Sequence, residues 1–335
     1  MKRIAFFFSM LVLLGGCATR EAPSPAYYQM DQGNLPKPDV ALNIRGLGPC
    51  TDNPDRTLHL NSTRPVTVLT HGCFGSSGQF RGLAQVLAFQ GQQTACFTYD
   101  DRAALTQSAT EMRNAINQLA EQTHVPLITV IGHSQGALVS RKSLTELPVQ
   151  PAKRQAELRL VTISGPFDGI ASAETCGRTW LSWATLGLLP VSCYVVTGAK
   201  WMDITFSSRF IREPGALIPE VGSYLKIDTD ETGTCRREQN GRCLESDEVF
   251  SLTEQDNPLV DGDARASRVL VRAGHVEIVG DKRVAPVKLI AVLQQQGVIR
   301  PIAPEKLSAF RQMLARVYQD DALLRRFDSW PDSQP

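Results

Sequence analysis

Gly132-His133-Ser134-Gln135-Gly136 sets a serine between two glycines, each two residues away. A serine hydroxyl is a weak nucleophile until a base takes its proton, so such a residue does covalent chemistry only beside a partner such as an imidazole. The glycines suit the segment to a sharp turn, because a Cβ at either position would crowd the adjoining backbone. The chain holds histidines at 59, 71, 124, 133 and 275, and only His275 lies beyond Ser134. It stands on a glycine-containing loop just after the apolar run Arg268–Arg272. A serine, an imidazole and a carboxylate that holds the imidazole in one tautomer would carry out nucleophilic acyl transfer.

These residues need a scaffold, and the hydropathy pattern supplies one. Leu42–Leu47 and Arg56–Leu60 read as early strands joined by the turn-forming Pro49–Pro54 stretch. The short β-branched run Val66–Thr70 reads as a buried strand, and Thr94–Tyr99, Leu127–Ile131 and Leu158–Ser164 read as the strands that follow it. Between them lie helical spacings. Gln79–Gln90 carries Phe80, Leu83, Ala84, Leu87 and Ala88 on one face, and Leu105–Gln122 carries Met112, Ala115, Ile116 and Leu119. Ala137–Leu147 follows the serine as a helix, Tyr224–Ile227 and Arg268–Arg272 are later strands, and Pro286–Gln296 is a closing helix. Strands alternating with helices predict an α/β domain over residues 41–300, with a mostly parallel sheet and helices on both faces. Ligands bind such sheets beyond the carboxyl ends of the strands, where the serine and His275 fall. Residues 170–222, with Trp180, Trp183 and Trp201, break the alternation and read as an inserted cap. Residues 301–335 are a C-terminal helical tail, with an amphipathic pattern over 304–328.

Residues 66–280 resemble the α/β-hydrolase superfamily on its lipase and esterase side. Val68-Leu69-Thr70-His71-Gly72 resembles its strand and His-Gly oxyanion loop, Val130–Gly136 its nucleophile elbow, and Ala273-Gly274-His275 its Gly-His catalytic histidine. Thr162–Gly169 looks like the Thr-Pro-His-x-Gly stretch of many lipases, with Phe167 where His is usual. The resemblance implies the order Ser, acid, His, hence Ser134 as nucleophile and His275 as base. It implies Asp247, in Ser246-Asp247-Glu248-Val249-Phe250, as the acid, with Asp228, Asp230 and Asp168 as rivals. The oxyanion donors would be the amides of Gln135 and of Cys73, otherwise Phe74. His71 would shape that loop, and His133 would point into packing. The implied activity is cleavage of carboxylic esters, lipids among them, through an acyl-enzyme, with no metal or organic cofactor. Acyl transfer, thioester cleavage or peptide cleavage on the same residues, or a non-catalytic envelope interaction protein on this scaffold, are the other readings.

The 335 residues are 42% hydrophobic and 21% charged, with 35 basic against 34 acidic side chains. That balance gives no electrostatic case for binding nucleic acid. Lys2 and Arg3 precede an apolar stretch, Ile4–Leu14, and then Leu14-Gly15-Gly16-Cys17. This resembles a bacterial lipoprotein signal, which implies cleavage of residues 1–16 and lipidation of Cys17. Residues 17–40 then form a tether to the outer membrane, and the domain faces the periplasm. In an oxidising compartment the cysteines read as disulfides. Cys176 with Cys193 and Cys235 with Cys243 are the expected pairs, and one of Cys50, Cys73 and Cys96 is left over. If the first two strands are an antiparallel pair, Cys50 reaches Cys73 and Cys96 stays free.

Overall fold

Val66–Thr70, Gln93–Phe97 and most of Leu127–His133 are buried on both faces, as strands covered by helices on either side must be. The computed structural model describes residues 34–73, 75–145, 156–171, 198–281 and 284–318. The strands, in chain order, are β1 (Val40–Leu42), β2 (Leu47–Gly48), β3 (Leu58–Leu60), β4 (Val66–Thr70), β5 (Gln93–Phe97), β6 (Leu127–His133), β7 (Glu157–Ile163), β8 (Val221–Asp230), β9 (Cys235–Gln239), β10 (Arg242–Ser246) and β11 (Ala266–Arg272). Seven of them form one sheet in the order β11-β8-β7-β6-β4-β5-β2, parallel throughout except for β2 at the edge. The predicted α/β architecture is therefore the observed one.

The helices are α1 (Arg81–Phe89), α2 (Leu105–Glu121), α3 (Gln135–Ser143), the single turns α4 (Arg209–Arg212), α5 (Leu252–Gln255) and α6 (Pro258–Asp261), then α7 (Val287–Gln295) and α8 (Leu307–Tyr318). On α2 the predicted stripe of Met112, Ala115, Ile116 and Leu119 is the buried face. Each of the three larger side chains, removed from water, contributes roughly 1.5–3 kcal/mol. Helix α1 is buried all round rather than on one stripe. The reason is α8, from the C-terminal tail, which lies against it: Phe310 packs on Phe89 with ring centroids 5.3 Å apart. A Cβ on Gly82 would come within 2.7 Å of the Tyr318 ring, so glycine lets the two helices close. Helix α2 lacks a capping side chain at its start, and Asp203 supplies the acceptor instead, taking the Leu105 amide at 2.7 Å. The segment that carries Asp203 is thereby fastened to the domain; residues 172–197, most of the expected cap, lie outside those described.

The first expected strand divides in two. β1 pairs antiparallel with β3, apart from the main sheet, while β2 crosses to the edge and pairs with β5. The register sets Gly48 opposite Cys96, which brings Cys50 to that cysteine. The disulfide is Cys50–Cys96, with Cα atoms 4.9 Å apart. This corrects the expected Cys50–Cys73 bridge: Cys73 is a free thiol, and Cys96 is not. Cys235 and Cys243 are joined as expected, across the exposed hairpin β9–β10. Cys17, Cys176 and Cys193 lie outside the described residues.

Candidate active site

Ser134 sits at the turn between β6 and α3 with φ 58° and ψ −128°, a conformation that side chains rarely adopt. The flanking glycines permit it. A Cβ on Gly136 would lie 2.4 Å from the carbonyl oxygens of Thr70 and His71, and one on Gly132 would lie 2.3 Å from the Gly136 carbonyl. The serine occupies the N-cap position of α3, yet its hydroxyl makes no capping bond. The Gln135 amide, at the first position of α3, has no intrahelical partner and lies at the helix's positive end.

The loop after β4 runs directly against the serine. A Cβ on Gly72 would sit 2.9 Å from Ser134 Cβ and 3.3 Å from its Oγ. His71 is held there by its own surroundings. Its ring stacks on Tyr99 at 4.6 Å, its Nδ1 donates to the Gly72 carbonyl at 2.9 Å, and Tyr99 donates its hydroxyl to the His71 carbonyl. Burial lowers the His71 pKa, against the Gly72 bond and the charges of Asp101 and Asp52, which raise it. Cys73, the next residue but one, is part of this loop.

His275 stands at the same carboxyl edge of the sheet, on the loop after β11. His133, whose ring centroid is 4.7 Å from that of His275, donates from Nε2 to the His275 carbonyl at 2.9 Å. Burial and the proximity of His275 depress the His133 pKa to about 3, so it is a neutral packing residue, as its sequence position predicted. Phe250 also packs on the His275 ring, edge to face, with centroids 4.8 Å apart.

The carboxylate against the imidazole belongs to Glu231. Its Oε1 is 2.9 Å from His275 Nδ1, so Nδ1 carries the hydrogen and Nε2 keeps its lone pair. The hydroxyl of Ser164 lies 2.6 Å from the same oxygen and 2.9 Å from Nδ1, and that of Thr229 lies 2.8 Å from Oε1. The second oxygen, Oε2, accepts the amides of Val249 and Phe250 at 2.7 and 2.8 Å. Burial alone would raise this acid's pKa. Hydrogen bonding and charge from His275, then the Ser164 and Phe250 bonds, overcome it and hold the pKa at about 2.

Asp247, expected at this place, does something else. Its carboxylate accepts the amides of Val276 at 3.1 Å and Glu277 at 2.9 Å, and its carbonyl accepts the His275 amide at 2.9 Å. It grips the backbone that carries the imidazole and makes no bond to the ring itself. A Cβ on Gly274 would fall 2.1 Å from its Oδ2, which accounts for the glycine before His275. The three rivals also lie elsewhere. Asp228 is bonded to Lys226 at 2.8 Å and to Arg268, Asp230 pairs with Arg272 at 3.1 Å, and Asp168 is exposed. The reason is strand parity: Lys226, Asp228 and Asp230 share one face of β8, whereas Thr229 and Glu231 project toward Ser164 and His275. Sequence reasoning ended this strand at Ile227 and weighed only aspartates. The usable signal was the alternation carried four residues further, to a glutamate whose longer side chain spans the gap. Among the described residues, no three His, Cys, Asp or Glu side chains cluster so as to hold a metal ion.

A parallel sheet, a strained serine between strand and helix, and an imidazole–carboxylate pair at the strands' carboxyl ends define an α/β-hydrolase fold. Residues 68–169 match the family model described as an alpha/beta hydrolase of unknown function, DUF900. No curated protein sequence matches significantly. Among solved structures, the chain is similar to the lipase BlEst2 of Bacillus licheniformis in its propeptide form, with 14% identity and a TM-score of 0.51 over 80% of this chain and 55% of that one. The mature form of the same lipase gives a TM-score of 0.49 at 14% identity, over 78% of this chain and 99% of that one. The Pyrococcus furiosus esterase Pf2001 gives 0.41 at 14% identity, over 77% and 87%.

Proposed function

We propose that this protein is a serine hydrolase of carboxylic esters whose reacting groups are Ser134, His275 and Glu231. The observation that carries the reading is the Glu231–His275 pair at 2.9 Å, anchored through His133 to the strand that bears the strained serine. His275 Nε2, free of the hydrogen that Nδ1 gives to Glu231, takes the proton of Ser134 as its oxygen attacks the acyl carbon. The carbonyl oxygen becomes an oxyanion facing the amides of Gln135 and Cys73, each such donor contributing a few kcal/mol. Collapse breaks the ester C–O bond, and the imidazolium returns its proton to the departing alcohol. Water repeats the sequence on the acyl-enzyme and releases the acid. Glu231 stays ionised throughout and stabilises the imidazolium.

The test is a p-nitrophenyl ester series together with labelling by a fluorophosphonate. Hydrolysis and labelling that both vanish in Ser134→Ala support the reading. Folded wild-type protein that neither labels nor hydrolyses would instead indicate a non-catalytic envelope protein on this scaffold. We also propose that Cys17 is lipidated, which anchors the mature chain at the outer membrane facing the periplasm, on the strength of Leu14-Gly15-Gly16-Cys17. Palmitate labelling lost in Cys17→Ala supports that, and labelling that persists refutes it.

A further inference from the structure

Lys200 is a lysine in an unusual place. It lies on the short turn Ala199–Met202, in the segment that returns from the 170–222 insertion, and its side chain is only 2% exposed. Its ammonium donates to Cys73 Sγ at 2.7 Å and faces Asp101 Oδ2 at 3.6 Å. Removing an ammonium from water is costly, and a buried ion pair seldom repays that cost with net stability. The arrangement calls for a benefit beyond stability.

The benefit is visible in what the pair touches. Cys73 and Gln135 carry the two amides assigned above to the oxyanion, and they come from different loops. Cys73 is tied through its sulfur to Lys200, and Lys200 to the Asp101 carboxylate. Gln135 Nε2 donates to the main-chain carbonyl of the same Asp101 at 3.0 Å. One point therefore holds both halves of the oxyanion site. The turn that supplies Lys200 is itself pinned. A Cβ on Gly198 would lie 2.3 Å from the Arg102 carbonyl, and Asp203 caps α2. Burial, the leading influence on Cys73, raises its pKa, so the sulfur meets the ammonium as a neutral thiol, a weak acceptor.

We propose that Lys200 is a positioning residue for the oxyanion site, clamping the Cys73 loop and, through Asp101, the Gln135 amide, so that the returning arm of the insertion fixes the geometry of the transition-state oxygen. The proposal rests on the assignment of Ser134 as nucleophile. Oxyanion donors work only when held within about 0.5 Å of their productive place, so loosening the clamp acts on kcat and not on substrate binding.

The test begins with purified wild type and Ser134→Ala on a p-nitrophenyl ester. Residual activity in Ser134→Ala would sink the functional assignment itself, whatever Lys200 does. With that control dead, Lys200→Met is expected to lower kcat by about 10- to 100-fold with KM changed less than about threefold, somewhat short of removing a donor outright. Inhibition by an alkyl boronic acid, whose tetrahedral serine adduct puts an oxygen in the same site, weakens by a similar factor. Cys73→Val, close in size but with no acceptor, reproduces the loss, and Cys73→Ser recovers most of it. The double variant Lys200→Met/Cys73→Val is no slower than the worse single one, because both cut one link. Thermal melting confirms that each variant is folded, and Cys73→Val serves as the probe if Lys200→Met is not. A folded Lys200→Met with kcat within twofold of wild type overturns the proposal. So do losses that multiply in the double variant.

Discussion

Replacing Glu231 by glutamine separates the two acidic residues that surround His275. The wild-type carboxylate accepts at both ends: Oε1 faces His275 Nδ1 and two hydroxyls, and Oε2 faces two backbone amides. A glutamine has only one accepting oxygen. If its NH2 points at the amides of Val249 and Phe250, two donors confront a third. If it points at His275, the ring must accept at Nδ1 and carry its hydrogen on Nε2, which disables it as a base. Loss of tautomer control of this kind costs about 10⁴ in kcat, or roughly 5 kcal/mol of barrier. Asp247→Asn keeps one oxygen for the amides of Val276 and Glu277, and the main-chain bond to the His275 amide is untouched. It should lower stability by about 1.5–3 kcal/mol, the worth of a bond to a charged acceptor. It should lower kcat by less than about 10², as for a base shifted by a fraction of an ångström. The assay is p-nitrophenyl ester turnover with Ser134→Ala as blank, and urea melts report folding. An Asp247→Asn defect equal to or larger than that of Glu231→Gln, in folded protein, would refute this division of labour.

Gly72→Ala places a methyl group 2.9 Å from Ser134 Cβ and 3.3 Å from Oγ, so fluorophosphonate labelling should slow at least about 10²-fold while the melting transition persists. His133 is held near a pKa of about 3 when folded and titrates at its ordinary value when unfolded. Between those values the unfolded chain binds a proton that the folded chain does not, so this stability is present above about pH 6.5 and is lost as pH falls, by up to ~1.4 kcal/mol per unit. Urea melts at pH 6.5 and 4.5 should therefore show wild type losing roughly 2–3 kcal/mol more than His133→Gln, and equal losses would contradict the buried neutral ring. Glu231 adds a loss of the same sign at lower pH, as it falls from the ordinary carboxylate range toward about 2. Removing the Cys50–Cys96 bridge, which spans 46 residues, as a Cys50→Ala/Cys96→Ala pair should destabilise by about 4 kcal/mol on the loop-entropy scale, readable from the same melts.

The parallel sheet was legible because its strands are β-branched and buried on both faces, and the elbow because its glycines answer a steric need that any chain making this turn must meet. The position of His275 beyond β11 was equally open to reading. The acid was not, because the choice among Asp228, Asp230, Glu231 and Asp247 depends on which face of β8 each residue takes, and on where β8 stops. Composition is silent on both. Asp247 misled for an intelligible reason: it lies beside the histidine and is buried, but it serves the main chain and not the ring. The cysteine pairing failed on register. A two-residue edge strand, too short to show in hydropathy, decides that Cys50 meets Cys96.

The β9–β10 hairpin leaves the domain just after Glu231 and comes back just before Asp247, so its stem is fastened at both feet by the residues that steady His275. Its strands are almost wholly exposed, and its tip, Asn240-Gly241, has positive φ at both residues with open space around the glycine. An epitope or fluorophore-bearing peptide spliced into that tip would ride on a stapled stalk without loading the chemistry beneath it. The protein thus carries a built-in handle for immobilisation or imaging.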